Sequence, residues 1–164
     1  MRRALLTKSR KSVAPPRLEL DVSFAACRPW VPSARQLRNW ASAALAPIRR
    51  PLVLSVRVVG KARSRSLNSQ YRHKDRPTNV LSFAGAGAAP DGRYFLGELV
   101  ICAPVVAQEA REQAKVLRSH WAHMTVHGVL HLLGLDHERP AEAAKMAVRE
   151  AQILGRLGFS DPYL

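Results

Sequence analysis

Residues 127–137 read HGVLHLLGLDH, three histidines in an otherwise apolar run. A stretch that only filled a core would have no use for imidazoles, which cost free energy when buried without partners. The spacing points to metal ligation instead. On an α-helix, residues four apart share a face one turn apart, so His127 and His131 can serve one ion. Gly134 stands where such a helix would stop, because glycine takes the left-handed conformation of a helix C-terminus at little cost. The turn can bring His137 round to the same point, giving three neutral nitrogens about 2.0–2.1 Å from a zinc with a fourth position open to water. That is the layout of a catalytic site. The alternative is a polar stripe lining a wet cavity with no ion, and three imidazoles also suit nickel, copper or iron.

These ligands need a scaffold. The 164 residues are enough for one domain with a real core, and 47% hydrophobic against 23% charged is ordinary for a globular chain. No apolar run approaches a membrane span. "RLELDVSFA" alternates Leu18, Leu20, Val22 and Phe24 on one face of a strand, and Ser33 can cap a helix to about Leu45. "PLVLSVRVV" is a second strand, "KARSRSLNSQYR" a short helix, "TNVLSF" a third strand, "AGAGAAPDG" a flexible turn and "RYFLGELVICA" a fourth strand in a hairpin with the third. Pro104 opens a helix whose stripe is Val106, Ala110, Ala114 and Leu117. The next, Ser119 to Leu133, is apolar nearly all round except for His120, His123, His127 and His131, which makes it central with one polar edge. A last helix lies in "PAEAAKMAVREAQILGRLG", with Met146, Ile153 and Leu154 among its apolar positions. Strands early and helices late predict an α+β sandwich, a small mixed sheet of about four strands covered by helices.

The charge narrows the partner. Lys and Arg total 26 against 12 acids, a net +14, which attracts polyanions such as nucleic acid over long range. Residues 1–17 hold Arg2, Arg3, Lys8, Arg10, Lys11 and Arg17 without an acid and end at Pro15-Pro16, which reads as a mobile basic arm ahead of one domain over 18–164. The arm lacks the apolar stretch of a secretory signal; an organelle transit peptide is the lesser alternative to a cytoplasmic protein. Cys27 and Cys102 make no disulfide framework and no C-x-x-C pair, which fits a reducing compartment.

The histidine spacing repeats that of the metzincin peptidases, but the glutamate those enzymes use as base is here Gly128. At every fixed position the run instead matches H-G-x-L-H-L-x-G-x-D-H and resembles the YbeY endoribonucleases, a family of rRNA maturation factors. "LNSQYRHKDRPTNVLSF", "LGELVIC", "HWAHMTVHG" and "LGFSDPY" extend the resemblance over roughly residues 18–163. Glu98 stands where many members have aspartate and Ala84 where many have proline.

The resemblance implies a zinc-dependent, single-strand-specific endoribonuclease with one Zn2+ per chain, acting on ribosomal RNA at the 3′ end of 16S rRNA and in ribosome quality control, with the ribosome or small-subunit components as partners. The family's ligands carry over to His127, His131 and His137, and its arginine to Arg72. An arginine suits phosphorane charge because its planar fork matches two phosphate oxygens. Asp136, beside a ligand, is read as orienting an imidazole or capping the turn. His120 and His123 are candidates for lining the cleft or contacting RNA, with hydrogen-bonded packing as the alternative. Tyr71 and Lys74 add an aromatic and a cation for RNA contact. The competing functions are a metal-dependent peptidase or other hydrolase, and a non-catalytic, zinc-containing ribosome-assembly factor.

Overall fold

The structure, a computed structural model, describes residues 18–135 and 139–164. The expectations for the basic arm, Asp136 and His137 fall outside the described residues. The elements are β1 (Leu18–Phe24), α1 (Ala34–Leu45), β2 (Leu52–Val59), α2 (Lys61–Arg72), β3 (Val80–Ala88), β4 (Tyr94–Cys102), α3 (Ala103–Glu112), α4 (Leu117–Leu132) and α5 (Pro140–Arg156). They form the expected α+β architecture, a four-stranded mixed sheet of order β1-β2-β4-β3 with helices packed on it. The β1–β2 and β2–β4 pairs are parallel, so each needs a crossover, whereas β3 and β4 are an antiparallel hairpin that leaves β3 at the edge.

Alternation along the strands splits the core in two. Val80, Leu99 and Ile101 turn toward α1 and α4, where Leu37, Trp40, Trp121, Val126, Val129 and Leu130 are buried with them. Leu81, Val100 and Cys102 turn the other way and meet Leu67 of α2. Ser33 caps α1 as expected, through a reciprocal pair in which the Gln36 N–H donates to Ser33 Oγ at 3.3 Å and the Ser33 N–H donates to Gln36 Oε1 at 2.9 Å. Helix α4 is buried round most of its circumference, which is why its sequence carries little polar–apolar contrast.

The structure corrects three expectations. The segment "AGAGA" is not a flexible turn: β3 runs through it to Ala88, with its register against β4 shifting between Ala84 and Gly87. Its small residues serve a close crossing, since a Cβ on Gly85 would sit 2.3 Å from the Phe95 carbonyl oxygen and one on Gly97 2.2 Å from that of Phe83. The stripe assigned to one helix is broken after Glu112; Ala114 is left-handed at φ 51° and Leu117 opens α4. Finally, Phe24 is exposed at the end of β1, whereas Leu18, Leu20 and Val22 pack into the core.

Candidate functional site

Two features of α4 bring imidazoles to the sheet edge. The first is its end: Gly134 adopts φ 86°, its N–H donates to the His131 carbonyl at 2.9 Å, and the Leu135 N–H reaches back to the Leu130 carbonyl at 3.1 Å, so the helix stops at this glycine as anticipated. The second is Gly128. A Cβ there would lie 2.9 Å from Leu99 Cδ2 and 3.2 Å from Val80 Cγ2, so its absence lets α4 settle onto β3 and β4. Ser82 Oγ secures the contact by donating to the Gly128 carbonyl at 3.0 Å. The residue that replaces the metzincin glutamate is thus a close-packing glycine, with no room for a carboxylate.

His127 and His131 consequently face one cavity of about 470 Å³, whose lining also includes Arg72, Asn79, Ser82 and Ala84. Their Nε2 atoms are 3.1 Å apart. Two ligands of a tetrahedral ion, each about 2.0–2.1 Å from it, lie roughly 3.3 Å apart, so this pair fits a shared metal. Arg72 comes from the opposite face of the sheet and reaches the cavity past edge strand β3. It ends α2, where His73 turns left-handed (φ 56°) and donates to Ser69. Buried side chains pin the following connection: Ser64 Oγ donates to the Thr78 carbonyl and accepts from the Thr78 N–H, both at 2.9 Å, and Asn68 Nδ2 donates to the Arg76 carbonyl at 2.8 Å. Arg65 and Asp75 add an exposed bidentate pair at 2.7 Å.

Behind the imidazoles lies a carboxylate that sequence reasoning missed. Glu150 of α5 is 0% exposed. Its Oε1 is 2.6 Å from His127 Nδ1 and its Oε2 is 2.9 Å from His123 Nε2, and the Tyr163 hydroxyl also donates to Oε2. Burial alone would push the Glu150 carboxyl up, but hydrogen bonds from His123, His127 and Tyr163 outweigh it and hold it at about 2. Burial and the Glu150 charge push the Tyr163 phenol up, so it stays a donor. An ionised carboxylate only accepts, so His127 donates through Nδ1; in a neutral imidazole that makes Nε2, on the His131 side, the lone-pair nitrogen that a metal ligand requires. A signal was available: Glu150 falls in the same buried stripe of α5 as Met146, Ile153 and Leu154, where a charge demands partners.

A second carboxylate works in parallel. Glu109 of α3 is 2.8 Å from His120 Nε2 and accepts from Asn79 Nδ2 at 3.1 and 3.2 Å. Burial raises its carboxyl, but His120 and Asn79 prevail and leave it below the ordinary value. His120 and His123 are therefore buried and hydrogen-bonded, and they line a separate cavity with Lys115, Ser119 and Asp161 rather than the one holding Arg72. Tyr71 is 57% exposed, edge-on to Phe83 with ring centroids 4.9 Å apart, and Lys74 is exposed in the α2–β3 connection. Neither is among the residues lining the Arg72 cavity. His123, His127 and Glu150 form another group with donor atoms close enough for an ion. Those atoms, however, already bond one another around the buried Glu150 carboxylate.

Fold and site together define an α+β protein in which a central helix offers paired imidazoles to an arginine-bearing cavity at the sheet edge. A family model for endoribonuclease YbeY matches residues 30–158, and the chain belongs to that family. It is 51% identical over 153 residues to an endoribonuclease YbeY of Stenotrophomonas maltophilia (strain R551-3), covering 91% of this chain and 95% of the relative. It is also 51% identical over 155 residues to that of Xanthomonas euvesicatoria pv. vesicatoria (strain 85-10), again at 91% and 95% coverage. The solution structure of TM1509 from Thermotoga maritima shares the fold, with a TM-score of 0.54 at 23% identity over 88% of this chain and 98% of that one. Among the described residues, no helix is long and apolar enough to cross a membrane.

Proposed function

We propose that this chain is a zinc-dependent endoribonuclease that cuts single-stranded RNA, acting in the cytoplasm on ribosomal RNA at the 3′ end of 16S rRNA and in quality control of ribosomes. The observation that carries the reading is the convergence of the His127 and His131 Nε2 atoms, 3.1 Å apart, on the cavity that Arg72 also lines. His127, His131 and His137 would hold the ion. When bound, zinc supplies Lewis acidity toward a phosphoryl oxygen and lowers the pKa of water to near 7. The donor set favours this position over the His123–His127–Glu150 group, because an ion there would have to displace the three donors that already satisfy a fully buried carboxylate.

The remaining work falls to the chain's own groups. Arg72 presents a planar cation to the scissile phosphate and stabilises the charge that develops on its non-bridging oxygens. Asn79 and Ser82 border the same cavity, held by their bonds to Glu109 and to the Gly128 carbonyl, and shape its wall. Tyr71 and Lys74, beside Arg72 on the outer surface, extend the contact to flanking nucleotides by stacking and charge. Residues 18–164 act as one catalytic domain, and the basic arm 1–17 adds affinity for RNA and for ribosomal components.

The test is cleavage of a single-stranded RNA by highly purified protein, alongside a chelated sample and an Arg72→Ala variant. Arg72→Ala is expected to keep its fold and bound metal while losing about 10²–10³-fold in rate, the size expected for one preorganised oxyanion donor. Equal cleavage in all three samples would mean a contaminating nuclease and would favour an assembly factor without catalysis.

A further inference from the structure

The last residues of the chain bear on the site from behind. After α5, Gly158 turns the backbone (φ 82°) and Phe159 is tied down twice, by its N–H to the Leu154 carbonyl at 3.0 Å and by an edge contact with Trp40 at 6.1 Å. Lys115 Nζ then donates to the Pro162 carbonyl at 2.8 Å, and Asp161 Oδ1 accepts from the Tyr163 N–H at 2.9 Å. These anchors aim Tyr163 inward. Its side chain is half exposed, yet its hydroxyl reaches Glu150, which is 0% exposed, and its ring stands edge-on to His123 at 5.6 Å. A half-exposed ring whose polar tip meets a fully buried carboxylate lies between that carboxylate and solvent.

We propose that the C-terminal tail is a working part of the His127 site, with Tyr163 as a positioning residue that acts through Glu150. The hydroxyl and His123 both hold Oε2 of Glu150, which leaves Oε1 directed at His127 Nδ1. The ring, edge-on to His123, covers the Oε2 side of the carboxylate and so limits the water that can reach the pair. His127 is thereby fixed in rotation and tautomer, with Nε2 turned toward His131. This rests on the reading of His127 as a metal ligand. It adds that residues 158–164, remote in sequence from the histidine run, set the affinity of that ligand. Helical packing alone does not need this: Phe159 anchors the tail to the core without Tyr163.

The experiment uses the full chain, wild type beside Tyr163→Phe and Tyr163→Ala. The first variant removes only the hydroxyl donor, and the second also removes the ring. Two readouts are taken: exchange of the His127 Nδ1–H with water, followed by NMR in metal-free protein carrying ¹⁵N-labelled histidine, and the zinc dissociation constant from competition with a chromophoric chelator. Expected are a zinc affinity about tenfold weaker in Tyr163→Phe, weaker again in Tyr163→Ala, and at least tenfold faster Nδ1–H exchange in Tyr163→Ala. Exchange within about twofold of wild type in both variants, even with a lower melting temperature, overturns the proposal and reduces Tyr163 to packing. The metal-free exchange reading decides the matter even if wild type binds no zinc, a result that would instead count against the metal reading of the site.

Discussion

Gly128 separates two accounts of the histidine run. If the site were a peptidase centre that had merely lost its base, restoring the acid with Gly128→Glu should be tolerated. The packing predicts the opposite. An added Cβ meets Leu99 Cδ2 at 2.9 Å, Val80 Cγ2 at 3.2 Å and Leu99 Cδ1 at 3.3 Å, and Leu99 is fully buried in β4 with little room to yield. Overpacking of this kind costs about 1–3 kcal/mol. Against it stands the better helix propensity of alanine over glycine, about 1 kcal/mol. Gly128→Ala should therefore lose about 1 kcal/mol net, a fall of roughly 2–4 °C in melting temperature for a domain of this size. Gly128→Glu adds a buried carboxylate without a partner, about 3 kcal/mol or more, and should leave little folded protein. Urea titration of the metal-free proteins measures both. A Gly128→Ala variant more stable than wild type, or a Gly128→Glu variant as stable as wild type, would refute the claim that α4 is pressed against the sheet at this glycine.

Glu109→Gln weakens the bonds to His120 and Asn79 and should cost about 1–2 kcal/mol at neutral pH. Since folding holds the Glu109 carboxyl below its ordinary value of 4.5, its contribution is present above that pH and is lost as pH falls through the depressed folded value. The stability gap between variant and wild type should narrow on acidification, as followed by denaturant titration at several pH values; a constant gap would mean the ionised form contributes nothing. Deleting residues 2–17 removes Arg2, Arg3, Lys8, Arg10, Lys11 and Arg17. RNA affinity should fall and its dependence on salt flatten by about 0.7 in log–log slope for each phosphate the arm no longer neutralises, with the cleavage rate at saturating RNA unchanged. A lower saturating rate would give the arm a catalytic part.

Much of this protein is local and hence legible in one dimension. The Ser33–Gln36 capping box, the Gly134 helix stop and the four-residue step from His127 to His131 are set by residues within a few positions of one another. They predict helices, their ends and a shared face from backbone geometry alone. The four strands were legible for a similar reason, because alternation reports which face is buried. Where alternation failed, at the "AGAGA" end of β3, the residues are small so that two backbones can pass closely, and low side-chain volume in sequence looks the same as a loop.

What the tertiary structure decided are the partners that cross between elements. Glu150 stands 23 residues from His127 and 27 from His123, and Tyr163 a further 13 beyond Glu150. Glu109 meets Asn79 from 30 residues away. No periodicity within a helix or strand encodes such meetings; they follow from how α3, α5 and the tail dock on α4. The sequence therefore determined which imidazoles could share an ion. Only the packed fold decided which carboxylates orient them, since a hydrogen bond of 2.6 Å to a buried oxygen depends on every element that holds the two groups in place.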